Sequence, residues 1–184
     1  EAMCPMYLSH AKVETSYFAI AALANGVLFG MALGLSIFSL LLFVRLRRAL
    51  YVYYALVMVS FVAMWLLGQG MGAAFERLIN VLPPLIGLVL AAWMFFRASF
   101  TRDLLSLHVI APTLNKTFRI VQYAGIPALF AVQAMLPPGM ASQTGGVAPV
   151  LLLGLEIYAG FLALRRGHVL ARWYLVATLA LGFG

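Results

Sequence analysis

Charge is what this sequence has least of. Only 9% of its 184 residues are Asp, Glu, Lys or Arg, and just five are acidic. A soluble domain is about a quarter charged, so the chain lacks the means to cover itself with a water-facing surface. Cys4 is the only cysteine, which excludes an intrachain disulfide. The three histidines, His10, His108 and His168, lie outside the apolar runs and share no ligand spacing. A histidine metal site and axial haem ligation inside a bilayer therefore have no candidates. Lys12 and Lys116 also lie outside those runs, which argues against a retinal Schiff base. Residues 1–16 lack the basic start and apolar centre of a signal peptide. No serine–histidine or cysteine–histidine pair shares a leaflet, so an intramembrane protease is not expected. Gly68, Gly70 and Gly72 follow no strand, which leaves a phosphate loop unsupported. The expectation is a non-enzymatic protein with no cofactor, no metal and no catalytic residue.

What is present in excess is apolar sequence. Hydrophobic residues make up 65% of the chain and the mean hydropathy is +1.03. Long uncharged runs separated by short polar connections predict an all-α, polytopic integral membrane helix bundle. The runs place helices at 17–44, 50–67, 83–96, 118–135, 147–164 and 173–184, after an extracytoplasmic lead-in over 1–16. The last run holds 12 residues. At about 1.5 Å each they rise about 18 Å, short of a hydrocarbon layer of about 30 Å. The sixth helix is thus expected to be incomplete and the native chain to continue.

The stretch Arg45 to Tyr54, RLRRALYVYY, sets the orientation. Arg45, Arg47 and Arg48 sit between two apolar runs with three tyrosines following, as in a tight turn held at lipid headgroups. The connections after runs three and five repeat the pattern, with Arg97, Arg102, Lys116 and Arg119 in one and Arg165, Arg166 and Arg172 in the other. Only Lys12 and Arg77 fall on the opposite side. The positive-inside rule then predicts an outside N-terminus and three cytoplasmic connections. The formal charge of +7 is used up in these turns, with no contiguous basic face for nucleic acid. The lipid bilayer is the partner these residues meet.

Three features inside the runs invite a role. Glu156 is a lone acid near the middle of the fifth run, with Tyr158 beside it. A charge left in lipid costs at least about 3 kcal/mol. Glu156 is therefore expected to face the bundle, protonated or hydrogen-bonded, as either a polar lock or a ligand- or proton-sensing site. Asn25, Gln69, Gln122 and Gln133 are its candidate partners. Gly26, Gly30 and Gly34 form a bare stripe on the first helix, suited to intrachain packing or to homodimerisation. Pro127, inside the fourth run, predicts a kink.

The glycine-spaced first helix NGVLFGMALG, the turn RLRRALYVYYAL, the ending LLGQG, the exit FFRASFTRDLLSLHVIAPTLNKTFRI and the segment YAGFLALRRGHVLARWYLVATLALG together carry a resemblance. In order and spacing the chain resembles the membrane region of the bacterial seven-transmembrane receptors with diverse intracellular signalling modules (7TMR-DISM). The resemblance implies a receptor in the bacterial inner membrane, with an outside sensory domain, seven helices and a cytoplasmic output module. This sequence contains neither domain and no seventh helix. The resemblance names no functional residue to transfer. Two other readings stand beside a signal-transducing module. One is an accessory structural subunit that stabilises a larger membrane complex through protein partners or homo-oligomer contacts. The other is a small transporter, to which a kinked helix and a buried acid would also be suited.

Overall fold

The computed structural model describes the backbone of residues 4–68, 82–135 and 138–183, and side chains for most of 22–67, 84–132 and 146–180. The described residues are helical apart from short turns. In chain order they form α1 (Cys4–Leu46), α2 (Ala49–Gly68), α3 (Leu82–Leu104), α4 (Leu107–Ile110), α5 (Pro112–Ile120), a π-helical turn (Val121–Gly125), α6 (Ile126–Met135), α7 (Pro138–Arg165) and α8 (Leu170–Phe183). Spans Ala22–Leu46, Ala49–Leu67, Pro84–Leu104 and Gly146–Arg165 are each long and apolar enough to cross a membrane. An all-α membrane helix bundle is the architecture.

The helices overrun the apolar windows, because hydropathy marks the membrane and not the end of a hydrogen-bonded ladder. Most of the expected 1–16 lead-in belongs to α1, which begins at Cys4 with Pro5 in its first turn, where a missing N–H costs nothing. Helix α7 starts at Pro138 rather than 147, and α8 at Leu170 rather than 173. The largest departure is in the third helix. It was expected to stop at Phe96, before the charge of Arg97, yet α3 runs on to Leu104. No proline or glycine interrupts it there, and Arg97 is neutralised from another helix. The chain turns at Ser106, whose φ of 48° is left-handed, held between Leu105 and Leu107, both fully buried. Pro112 then opens α5, and Ala111 before it is extended, as a residue preceding proline must be.

Pro127 does not break the fourth helix. A five-residue π turn precedes it, and Ile126 N–H closes back on Val121 carbonyl. The wide turn absorbs the irregularity at the bond that the proline cannot donate, so α5 and α6 run on as one helix.

Two antiparallel pairs frame the molecule. The α1–α2 turn and the α7–α8 turn lie at the same end as the close of α3. Tyr54, early in α2, meets Phe100 of α3 at 5.5 Å between ring centres, and Thr101 of α3 meets Tyr174, early in α8. Arg45, Arg47, Arg48, Arg165, Arg166 and Arg172 are all exposed at this basic end. Arg165 folds back over the Phe161 ring at 4.7 Å. The α7–α8 turn is a Schellman cap: His168 N–H reaches Ala163 carbonyl and Gly167 N–H reaches Leu164 carbonyl, with Gly167 at φ +80°.

The core lies between α3, α5, α7 and α8. Ala98, Ala159, Ala163 and Ala171 are fully buried there with Phe118, Leu105 and Leu107. Apolar collapse gives little drive inside lipid, so small residues that allow close backbone approach do the packing. Gly160 is the tightest such point: a Cβ there would lie 2.7 Å from Leu175 Cδ2 and 3.2 Å from Tyr174 Cδ1. Gly160→Ala is expected to push α8 outward and cost about 1–3 kcal/mol through overpacking. Thermal unfolding checks it, and Leu175→Ala in the same chain should restore part of the loss. A neutral single variant would mean that Leu175 simply swings aside.

Intrachain packing of the Gly26, Gly30 and Gly34 stripe is not found among the described residues. All three are exposed, and a Cβ on any of them would meet nothing within 4 Å. Helix α1 instead presents Ala32, Ser36 and Ser39, which are buried, and Ser36 lies 3.5 Å from the Ala55 carbonyl of α2. At 100° per residue, positions 32 and 36 sit about 200° from position 34, so the stripe lies on the opposite side of the helix.

Candidate functional site

Glu156 is fully buried and carries the one ion pair among the described residues. Its partner is Arg97. The guanidinium approaches side-on, with Nε 3.0 Å from Oε1 and 2.8 Å from Oε2, and a terminal nitrogen 2.8 Å from Oε2. The Arg97 side chain is 15% exposed, and its Cζ lies 4.8 Å above the Trp93 ring one turn back. The charge is thus met by a carboxylate on one side and a π face on another. Arg97 lies seven residues before the end of α3 and Glu156 nine before the end of α7. At about 1.5 Å per residue the pair is a little over 10 Å inside the basic end.

Thr101, one turn beyond Arg97, extends the network. Its hydroxyl donates to one acceptor among the Arg97 carbonyl at 3.0 Å, Glu156 Oε1 at 3.4 Å and Tyr174 Oη at 2.9 Å, and can accept from Tyr174. Three helices therefore meet at one polar knot: α3 through Arg97 and Thr101, α7 through Glu156, α8 through Tyr174.

A second knot lies on the opposite face of α3. Gln122, fully buried in the π turn, donates through Nε2 to the Phe95 carbonyl at 3.0 Å and to Ser99 Oγ at 2.6 Å. Its Oε1 accepts from Arg102 at 2.5 Å, and Arg102 Nε donates to Asn115 Oδ1 of α5 at 2.9 Å. Residues 95, 99 and 102 fall along one stripe of α3, about 200° from the stripe of 97 and 101. Helix α3 is held on two sides by directional bonds.

Several expectations are corrected by this arrangement. Neither Asn25 nor Gln122 pairs with Glu156, since Gln122 serves Arg102, Ser99 and the Phe95 carbonyl; the side chains of Gln69 and Gln133 lie outside the described residues. The glycines at 70 and 72, with Glu76 and Arg77, also lie outside them. Tyr158 is 57% exposed and stands apart from Glu156, because two residues along a helix is more than half a turn. The tyrosine that joins the site is Tyr174. Arg97, assigned by its charge to a connection, is the partner that sequence reasoning missed. The available signal was charge balance: a buried acid in a chain with ten arginines is best met by one that an uninterrupted helix can carry inward.

The knot can lock helices together or switch between two arrangements, since an ion pair is either made or broken. Among the described residues no group of three or more His, Cys, Asp or Glu is arranged to hold a metal ion. No curated protein and no solved structure matches the chain. The family described as 7TM diverse intracellular signalling does match, over residues 21–184. That match covers every element from the first membrane span to α8, including both polar knots, and the chain belongs to this family.

Proposed function

We propose that the chain is a non-enzymatic transmembrane signal-transduction module that passes an extracytoplasmic or intramembrane signal to the cytoplasmic side. In this reading the basic end is cytoplasmic and the membrane is a bacterial inner membrane. The observation that carries it is the buried Arg97–Glu156 pair with Thr101 and Tyr174, which joins α3 to α7 and α8 inside the membrane span. A purely structural contact in lipid needs only small residues. A buried charge pair is costly to form and cannot slide gradually, so it separates two discrete packings. Family membership supports the receptor reading independently.

The test reads helix separation at the basic end. Val109 on α4 and Val169 in the α7–α8 turn are both 72% exposed, and each can carry a spin label in a Cys4→Ser background. Glu156→Gln, which keeps the shape and removes the charge, is expected to lengthen or broaden the distance distribution while the chain stays folded. A single narrow distance that the substitution leaves unmoved would make the pair a static lock. That result would favour the accessory-subunit reading instead.

A further inference from the structure

Among the described residues, the cation of Arg102 is held without a counter-charge. Both of its described partners, Asn115 Oδ1 and Gln122 Oε1, are neutral amide oxygens, and the only described ion pair belongs to Arg97 and Glu156. Guanidinium has five N–H donors, and these bonds engage two. The neighbouring acid, Asp103, is exposed on α3 and makes no described ion pair.

More positive charge is gathered at the same corner. On α5, Asn115 and Arg119 are one turn apart on the same face, and Gln122 continues that stripe. Arg119 therefore stands beside the stripe that binds Arg102, with Lys116 on the adjoining face; both are exposed. Fixing one guanidinium with neutral acceptors and placing a second cation one turn from its Asn115 partner is unfavourable unless an anion is bound near them. The depth is suitable as well, since Arg102 lies two residues before the end of the Pro84–Leu104 span.

We propose that Arg102 and Arg119 form a seat for the phosphate of an anionic lipid headgroup at the α3–α5 corner. The Asn115 and Gln122 bonds orient the Arg102 fork before the lipid arrives, and planar guanidinium matches a phosphodiester with two parallel bonds. A free phosphate shares this chemistry, but the corner closes a membrane span, where lipid phosphates are concentrated. The occupied seat would join α3 to the helix carrying the π turn from the lipid side.

The full chain in nanodiscs, titrated with phosphatidylglycerol against phosphatidylcholine and followed by native mass spectrometry, tests the seat. Retention of phosphatidylglycerol is expected over phosphatidylcholine. Arg119→Gln, which touches none of the Arg102 bonds, should weaken it about fivefold, the contribution of one surface cation. Arg102→Lys keeps the charge, loses the fork, and should weaken it similarly. A variant with Arg45, Arg47 and Arg48 all changed to glutamine loses general attraction for anionic headgroups at the same end, and adding Arg119→Gln to it should still weaken retention about fivefold further. Equal retention of the two lipids, or an Arg102→Lys variant that retains phosphatidylglycerol as well as the unsubstituted chain does, overturns the proposal. Inorganic phosphate that competes as well as phosphatidylglycerol overturns its assignment to lipid.

Discussion

Arg97→Leu is expected to destabilise the bundle by about 3–5 kcal/mol, the cost of leaving a buried charge unpaired. Glu156 has no exposure to recover its solvation, and the Thr101 hydroxyl, 3.4 Å away, offers one weak bond in place of three contacts from the guanidinium. The double variant Arg97→Leu/Glu156→Leu should recover most of the loss. Replacing a buried pair by apolar groups is often neutral, since the desolvation of both charges is removed with their attraction. Glu156→Gln should fall between the two. Arg97 keeps an oxygen acceptor, the Trp93 face and its own partial exposure, so its charge is less stranded than a buried carboxylate would be. Thermal unfolding of the detergent-solubilised full chain measures all three. A loss in the double variant equal to the sum of the losses in Arg97→Leu and in Glu156→Leu, measured in the same way, would show that the two side chains act independently and that the pair couples nothing.

Gln122→Leu should cost about 2–3 kcal/mol, mostly from what it strands rather than from the bonds it removes. Neutral interhelical hydrogen bonds in lipid average only about 0.6 kcal/mol, so the loss of the Phe95 and Ser99 contacts alone would be small. The larger part comes from Arg102, whose guanidinium loses an acceptor in a half-buried place. Gln122→Glu separates the contributions. It gives Arg102 a full counter-charge and removes one donor from the Phe95 carbonyl, which keeps the Ser99 hydroxyl at 3.0 Å, so it should be milder than leucine. Ser99→Ala, which removes one neutral partner, should be the mildest. Unfolding midpoints in that order, leucine lowest, are the expected outcome; wild-type stability for Gln122→Leu would mean that the π turn is held by Pro127 and packing alone.

The placement of Arg97 shows where reading the chain in one dimension stops. A charge after an aromatic collar is an ordinary sign that a helix has left the membrane, and for Arg45 and Arg165 the exposed positions agree with that reading. Arg97 has the same local signature, but an acid on α7, 59 positions away, removes the cost of keeping it inside. Tyr158 shows the same limit from the other side. Adjacency in sequence suggested it as the companion of Glu156, and helical geometry turned it outward. The glycine stripe of α1 was legible as a stripe, while the face that meets α2 turned out to be the one with Ala32, Ser36 and Ser39.

Composition, run length and the spacing of the arginines determined by themselves that the chain is an α-helical membrane bundle, how its helices follow one another, and that Glu156 is the residue to explain. These are properties of segments, set by the transfer of apolar side chains and backbone amides into lipid, and each segment answers to the bilayer alone. Only the tertiary structure decided which groups meet: Arg97 with Glu156, Thr101 with Tyr174, Gln122 with Arg102. Those pairings depend on helix rotation and relative depth, and a degree of rotation that changes no segment's hydropathy moves a side chain from a partner to the lipid.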